Sequence, residues 1–523
     1  MAGFPGRLRT AACFGAALLL SGCEVGPDFK RPEAPAASGY TPEPLPAETA
    51  SAPVAAGAAQ RFVRGLDIPG QWWALFGSPG LNALVEQAIA ANPTLPAAQA
   101  ALRQAWENVY AEQGSLYPNV TAGYSPTRNK TATGAVTPVA ASGNPYYSLY
   151  TAQVTVSYTP DVFGGTRRQI ESLAATAQSQ QFQLEATYLT LTSNVVAAAV
   201  QEASLRGQIA ATEEIIRIDS EGLDILRRQL ALGAVAGVDV AAQEAALAQA
   251  QAQLPPLQKQ LAVERDLLTA LLGRFPNQQP REEFELASLR LPRDLPVSLP
   301  SKLVDQRPDV RSAEAQLHMA SADIGVAIAN RLPQFTLTAN GGGQSIAFAQ
   351  MFAGPGTAFW TVAGNVTATV FDAGTLLHKQ RAAEAAFEQA AAQYRSTVIA
   401  AFQNVADTLH ALQSDADELT TAAAAVAAAK TSLDITRRQL ELGAVNYLAL
   451  LTAENAYQQA LSGVVQAQAN RYADTAALFQ ALGGGWWNRT DLAQLEARPT
   501  QTVAAEATNG SEPGSYGGRR SNR

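Results

Sequence analysis

The sequence predicts a mixed α and β protein built from a tandem structural repeat. Each chain supplies four strands to a transmembrane β-barrel of twelve, shared by three copies and joined to long coiled-coil helices. Three observations predict this: a segment that recurs about 210 residues downstream, apolar heptads in each copy, and period-two alternation in each copy. Composition sets the bounds. The 523 residues carry 37 Lys+Arg against 45 Asp+Glu, a net charge of −8, and are 47% hydrophobic. That is too apolar for wholesale disorder, and an acidic balance without a basic stripe argues against nucleic acid as the partner. No apolar run reaches the ~18 residues of a spanning helix, so passage through a membrane must use strands.

The chain begins with Arg7 and Arg9, an apolar run from Ala11 to Leu20, and Leu20-Ser21-Gly22-Cys23. The run is too short to span a bilayer and reads as a secretory signal covering 1–22. Small residues before a cysteine resemble a bacterial lipobox, which implies cleavage before Cys23 and a diacylglycerol and an N-acyl chain on that residue. The alternative is an ordinary signal with an incidental cysteine. Glu24, not Asp, follows, so the strongest inner-membrane retention signal is absent and the outer membrane is expected. Cys13 and Cys23 are the two cysteines, and neither builds a disulfide framework. Residues 23–80 read as a lipidated linker, Pro- and Ala-rich and extended from about 30 to 65.

Asp224-Ile-Leu-Arg-Arg-Gln-Leu-Ala-Leu-Gly-Ala-Val235 recurs as Asp434-Ile-Thr-Arg-Arg-Gln-Leu-Glu-Leu-Gly-Ala-Val445, matching at ten of twelve positions. Leu272-Gly273 matches Leu482-Gly483 at the same offset of 210, and Pro93 and Pro118 match Pro308 and Pro333 at 215. The first copy spans 81–273, with a helix over about 81–113, a strand pair in 117–158, a long helix 166–231 and a helix 239–272. A connection, 274–302, leads to the second copy, 303–483. It has a helix, a strand pair in 334–370, a long helix 375–441 and a helix 449–482. The tail 484–523 is expected to be disordered beyond about 496.

Val398, Val405, Leu412, Leu419, Val426, Leu433 and Leu440 hold a strict spacing of seven, the seam of a left-handed coiled coil. The first copy repeats it with Glu202 as its one interruption, and Arg471 interrupts a shorter seam in the second copy. The long helices reach ~100 Å at 1.5 Å per residue, and the flanking helices, half as long, can stack end to end beside them. Gly233 and Gly443 permit the hairpin reversals. Pro255-Pro256 should interrupt and kink helix 239–272.

Tyr150, Ala152, Val154, Val156 and Tyr158 alternate with Thr151, Gln153, Thr155 and Ser157, and Trp360, Val362 and Val366 with Thr361, Asn365 and Thr367. Apolar alternating with uncharged polar residues fits strands with one face in lipid and one in water, or a half-buried soluble sheet. Inside a bilayer the sheet must close, and four strands are too few. Three chains supply twelve, and Tyr117, Tyr146, Tyr147, Tyr158, Trp360 and Phe371 fit an interfacial girdle.

Cys23-Glu-Val-Gly-Pro-Asp-Phe-Lys-Arg-Pro32, Leu442-Gly-Ala-Val-Asn-Tyr-Leu-Ala-Leu-Leu451 and Ala481-Leu-Gly-Gly-Gly-Trp486 resemble segments of the outer-membrane factor family. That family is TolC-like, and the likeness is to its lipoprotein efflux branch. The resemblance covers roughly residues 20–490. It implies a homotrimer whose outer-membrane barrel continues into a periplasmic α-helical barrel, a passive exit duct for drugs or other small toxic compounds. It implies as partners a periplasmic adaptor and an inner-membrane efflux transporter, usually of the resistance–nodulation–division type. By position it makes Gly233, Ala234, Val235, Gly443, Ala444, Val445 and Asn446 adaptor-docking candidates. Leu448, Thr452 and Asp239 become gate candidates. Thr452 stands where relatives often carry an aspartate and Ala449 is not acidic, so an acidic ring would depend on Asp239 and Glu454. For Leu448, helix packing is the competing role.

Arg227-Arg228 and Arg437-Arg438 precede the turns, where they can cap the helix dipole or lock adjacent helices. Nothing points to an enzyme, a metal or a cofactor beyond the lipid. His318, His378 and His410 lack ligand spacing, and Gly341–Gly343 and Gly483–Gly485 lack the following Lys of a phosphate loop, reading instead as turn or strand-end glycines. Heavy-metal efflux, type I protein secretion and a non-conducting coiled-coil scaffold are the alternative functions.

Overall fold

The computed structural model describes residues 24–130, 146–353 and 356–490. The signal segment, Cys23, parts of both strand connections and the tail beyond 490 lie outside the described residues. An irregular N-terminal run leads to β1 (Arg61–Arg64) and a single helical turn, Trp72–Phe76. The first copy then runs α1 (Pro79–Ala91), α2 (Thr94–Gly114), β2 (Asn119–Lys130), β3 (Tyr146–Tyr158), α3 (Gly165–Ala231) and α4 (Gly237–Leu271). The connection holds β4 (Asp294–Val297). The second copy runs α5 (Pro300–Gln306), α6 (Pro308–Ala329), β5 (Gln334–Ser345), β6 (Ala358–Thr367), α7 (Thr375–Glu441) and α8 (Tyr447–Ala481).

The first helix of each copy, expected to be continuous, is broken at Pro93 and Pro308, because a residue before proline is pushed out of the helical region. The break serves the stacking of half-length helices. Asn92 Nδ2 donates to the carbonyl of Leu271 at 2.8 Å, and Arg307 Nη1 donates to that of Ala481 at 2.9 Å, so the same joint recurs in both copies. Each long helix opens at a left-handed glycine, Gly164 or Gly374, beside a carboxylate. Asp161 accepts from the amides of Thr166 and Arg167, both at 3.0 Å, and Asp372 from that of Leu376 at 2.7 Å.

The two heptad interruptions are buried charges with partners. Glu202 Oε1 lies 3.0 Å from Arg206 and 2.9 Å from Arg265. Arg471, fully buried, donates to the carbonyls of Ala56 at 2.7 Å and Ala58 at 3.0 Å. Its role corrects the expected linker. Residues 24–80 are not a free tether: β1 pairs in parallel with β4, and Trp72, Trp73 and Phe76 are buried where the half-length helices meet. There Trp72 stacks on Phe479 with ring centroids 5.4 Å apart. The expected tail also begins later than 484. Trp486 donates to the carbonyl of Gln306 at 2.7 Å, and Arg489 pairs with Glu185 at 2.7 Å.

Two further expectations change. α4 runs through Pro255 and Pro256 without a break, since both prolines lie on its exposed side, where the carbonyls that lose their amide partners meet water. Gly341, Gly342 and Gly343 lie within β5 and pair on both sides; a Cβ on Gly342 would stand 2.1 Å from the carbonyl oxygen of Ala152. They permit close strand approach and are not a turn.

The strand order is β2-β3-β5-β6, antiparallel throughout. Among the described residues β2 and β6 have one unpaired edge each. The helices repeat this pattern. α3 packs against α6 of the second copy, but α7 makes no comparable pairing with α2.

Candidate functional site

The ends of the two helical hairpins hold nearly all the site residues the sequence singles out. Both turns close identically. Gly233 and Gly443 adopt φ of +74° and +69°, and the amides of Ala234 and Ala444 reach back to the carbonyls of Gln229 and Gln439 at 2.9 and 2.8 Å. A residue with Cβ is strained there, which is why the Leu-Gly-Ala-Val sequence recurs. Leu232 and Leu442 stand 84% and 78% exposed beside the glycines, so each tip offers an apolar knob to solvent. Ala234 and Ala444 are exposed and Val235 and Val445 half-buried.

The next helices start by different means. Asn446 Oδ1 accepts from the amide of Ala449 at 3.1 Å, a side-chain cap. In the first copy Ala236 cannot cap, and Asp239 Oδ2 accepts from the amide of Ala236 at 3.2 Å instead. Asp239 and Asn446 thus have local structural work, and Ala449 needs no acid because Asn446 already caps that helix. Leu448 is 63% exposed, so within the chain it has no packing role. The Thr452 hydroxyl donates to the carbonyl of Leu448 at 2.9 Å.

Behind the turns Leu223, Leu226, Val240, Leu433, Tyr447, Leu450 and Leu451 join the two hairpins. A cleft of about 1160 Å³ opens between them, lined among others by Arg217, Asp239, Arg437 and Glu454. Beside it, in the buried packing between the hairpins, Tyr447 donates its hydroxyl to Gln243 Oε1 at 2.8 Å, and Gln243 Nε2 donates to the carbonyl of Asp219 at 2.8 Å. Burial raises the Asp219 carboxyl, against the Gln243 hydrogen bond. Burial, and after it the nearby Asp219 charge, push Glu454 up to about 7, with Arg437 opposing.

The arginine pairs do both things the sequence allowed. Arg227 reaches Glu244 at 2.8 Å across the first hairpin and Arg437 reaches Glu454 at 3.7 Å across the second, the same pair at an offset of 210. Arg228 and Arg438 lie in the last helical turns. Asp219, Gln243 and Tyr447 were not singled out by sequence reasoning. The signal was the breaking of the repeat: their counterparts are Ala429, Ala453 and Gly237. Among the described residues no group of His, Cys, Asp or Glu is arranged to hold a metal, and no helix is long and apolar enough to cross a membrane.

Residues 84–274 and 299–484 match the model of a family described as outer membrane efflux protein. The chain is 30% identical over 446 residues to the pyoverdine export outer membrane protein OpmQ of Pseudomonas putida, covering 85% of this chain and 94% of that one. It is 28% identical over 482 residues to the toluene efflux pump outer membrane protein TtgC of Pseudomonas putida, covering 92% and 96%. Among solved structures, the outer-membrane channel OprN superposes with a TM-score of 0.79 at 26% identity, over 89% of this chain and 100% of that one.

Proposed function

The chain belongs to the outer membrane efflux protein family, and we propose that three copies close into one passive exit duct spanning the outer membrane and reaching down into the periplasm. An outer membrane efflux protein is a transport component, not an enzyme. One observation carries the closure. Within the chain the seam between copies is made by β3 on β5 in the sheet and by α3 on α6 and α8 among the helices. The faces that would continue it, β6 with α7 on one side and β2 with α2 on the other, are left over. A head-to-tail contact that repeats an internal one forms a ring when its rotation closes, and a sheet edge in a bilayer has to be closed. With four strands per chain, three copies give a barrel of twelve. Trp360 and Phe371, 79% and 86% exposed, then suit the lipid interface.

In this reading the acyl chains on Cys23 hold the mature N-terminus in the outer membrane. Gly233, Ala234, Val235, Gly443, Ala444, Val445 and Asn446 receive a periplasmic adaptor, with Leu232 and Leu442 as apolar contacts. A resistance–nodulation–division transporter in the inner membrane supplies the energy. Leu448 and Thr452 narrow the entrance, and Glu454 is a better candidate than Asp239 for a titrating acid there. The relatives' names, pyoverdine export and toluene efflux, favour small compounds as cargo.

Purified protein should have the mass of three chains in mild detergent and conduct ions across a planar bilayer. A monomer that conducts nothing overturns the duct. Gly443→Pro, which cannot adopt φ of +69°, should abolish efflux while leaving bilayer conductance intact. Normal export by that variant at normal expression refutes the docking site.

A further inference from the structure

The first eight described residues do not trail away from the body. Glu24–Arg31 lie in the groove between α3 and α6, and Arg168, with its side chain 4% exposed, stands at the centre of their contacts. Its Nη2 donates to Asp28 Oδ1 at 2.8 Å, its Nε donates to the carbonyl of Val25 at 3.2 Å, and Glu24 Oε1 lies 3.4 Å from the same nitrogen. Its Nη1 donates to Glu171 Oε2 at 2.7 Å, which holds the guanidinium in place from its own helix. The other Glu171 oxygen meets His318 Nε2 at 2.8 Å, and Phe29 stacks on the His318 ring at 4.3 Å. Arg31 bonds to Asp305 and, at 3.0 Å, to Glu314.

The backbone is fitted as closely as the side chains. The amide of Val25 donates to the carbonyl of Phe163 at 3.1 Å. A Cβ on Gly26 would stand 2.5 Å from Gly325 Cα, and one on Gly325 would stand 2.9 Å from the Val25 carbonyl oxygen. A Cβ on Gly164 would stand 2.7 Å from Glu24 Cγ. Glycines on three separate segments therefore make room for this peptide. An exposed ion pair contributes little, but a buried arginine shared among several acceptors on one segment specifies a position. At an offset of 210 the counterpart of Arg168 is His378 and that of Glu171 is Arg381, so the second copy has no such slot.

We propose that the α3–α6 groove is a docking site for Glu24–Arg31, with Arg168 as its positioning residue, and that docking fixes the height at which the acyl chains of Cys23 enter the bilayer. The docking rests on these contacts alone; the height rests also on acylation of Cys23. Undocked, the chain between Cys23 and Ala56, where Arg471 holds it, would let an anchor wander roughly 30 Å. Docked, the residue that follows Cys23 in the sequence, Glu24, is held against Gly164, between the end of β3 and the start of α3. The inner surface of the outer membrane is then aligned with the strand-to-helix junction.

The test is hydrogen exchange on the full mature chain in lipid nanodiscs, reading the peptide 24–31, together with trypsin cleavage after Lys30. In the natural protein the Val25 amide should exchange at least tenfold slower than in an unstructured peptide. Arg168→Gln and Gly26→Val should both lose that protection while peptides from 175–195 keep theirs. A Cys23→Ser chain exported behind an ordinary cleavable signal should retain it. Natural-protein exchange at the unstructured rate, or both variants exchanging like the natural protein, overturns the docking. Protection lost in Cys23→Ser but kept in Arg168→Gln also overturns it, since the lipid and not the groove would then hold the segment. If Arg168→Gln loosens α3 itself, Gly26→Val, which alters only the docked segment, decides. A mass for the N-terminal peptide without acyl chains overturns the height and leaves the docking result standing.

Discussion

At the scale of single residues, charge follows from local need. Asp239 and Asn446 cap equivalent helices with different side chains, so an acid looked for near an entrance turns out to be occupied at a helix start. Glu454 is different, because burial holds its carboxyl near 7 against an ordinary 4.5. The folded tip keeps a proton that the unfolded chain gives up, so this group's unfavourable contribution is absent below about pH 4.5, grows as pH rises to about 7, and is constant above. Glu454→Gln should flatten that slope and raise the protection factors of the amides in 440–457 more at pH 8 than at pH 5. An unchanged pH dependence of exchange would count against it. Glu202→Ala should lower stability by about 3 kcal/mol, because Arg206 and Arg265 then keep only the exposed Glu283 as an acidic partner beside a buried gap. Thermal melting checks this, and Glu202→Leu with Arg265→Leu should recover part of the loss. Glu202 was legible in the sequence as a break in the heptads; its partner Arg265 was not, because their contact depends on how two helices are set side by side.

Elements are where the sequence speaks most clearly. Heptads, alternation and the duplicated Leu-Gly turns placed the long helices and all four described strands of the larger sheet, since each is a local periodic signal. The sequence was silent on what is not periodic, namely the route of residues 24–60 and the aromatic joint around Trp72 and Phe479. Those depend on contacts between segments hundreds of residues apart. Helix ends make a sharp comparison. Gly233, Gly443, Gly273 and Gly483 all have positive φ. A Cβ meets nothing within 4 Å at the first two, but stands 2.4 Å from the carbonyl oxygen of Ala91 at Gly273 and 2.3 Å from that of Gln306 at Gly483. Alanine should therefore cost about 1 kcal/mol at Gly233 or Gly443, the strain of the left-handed backbone alone. At Gly273 or Gly483 it should cost about 3 kcal/mol, because a packed joint must shift as well. Equal losses at all four in denaturant unfolding would show that the joints are loose.

For the whole molecule, the two faces of the sheet should answer differently to charge. Val362, 72% exposed near the middle of β6, lies on the apolar face, and Thr361 on the polar one. Val362→Arg should destabilise the inserted barrel by about 2–4 kcal/mol. Thr361→Arg should leave barrel stability nearly unchanged and alter ion selectivity. Folding into liposomes and single-channel recording separate the two, and the reverse outcome would turn the sheet inside out. The polar chain from Tyr447 through Gln243 to Asp219 joins the first copy to the second within one polypeptide. In the proposed trimer the equivalent places between two polypeptides would hold Gly237, Ala453 and Ala429, which have no side-chain polar groups to form such a chain. The mouth of the tube so assembled would be riveted at three joints and merely butted at the three alternating with them. Any outward pull on its rim should part the butted joints first, dilating the opening as a triangle instead of a hexagon.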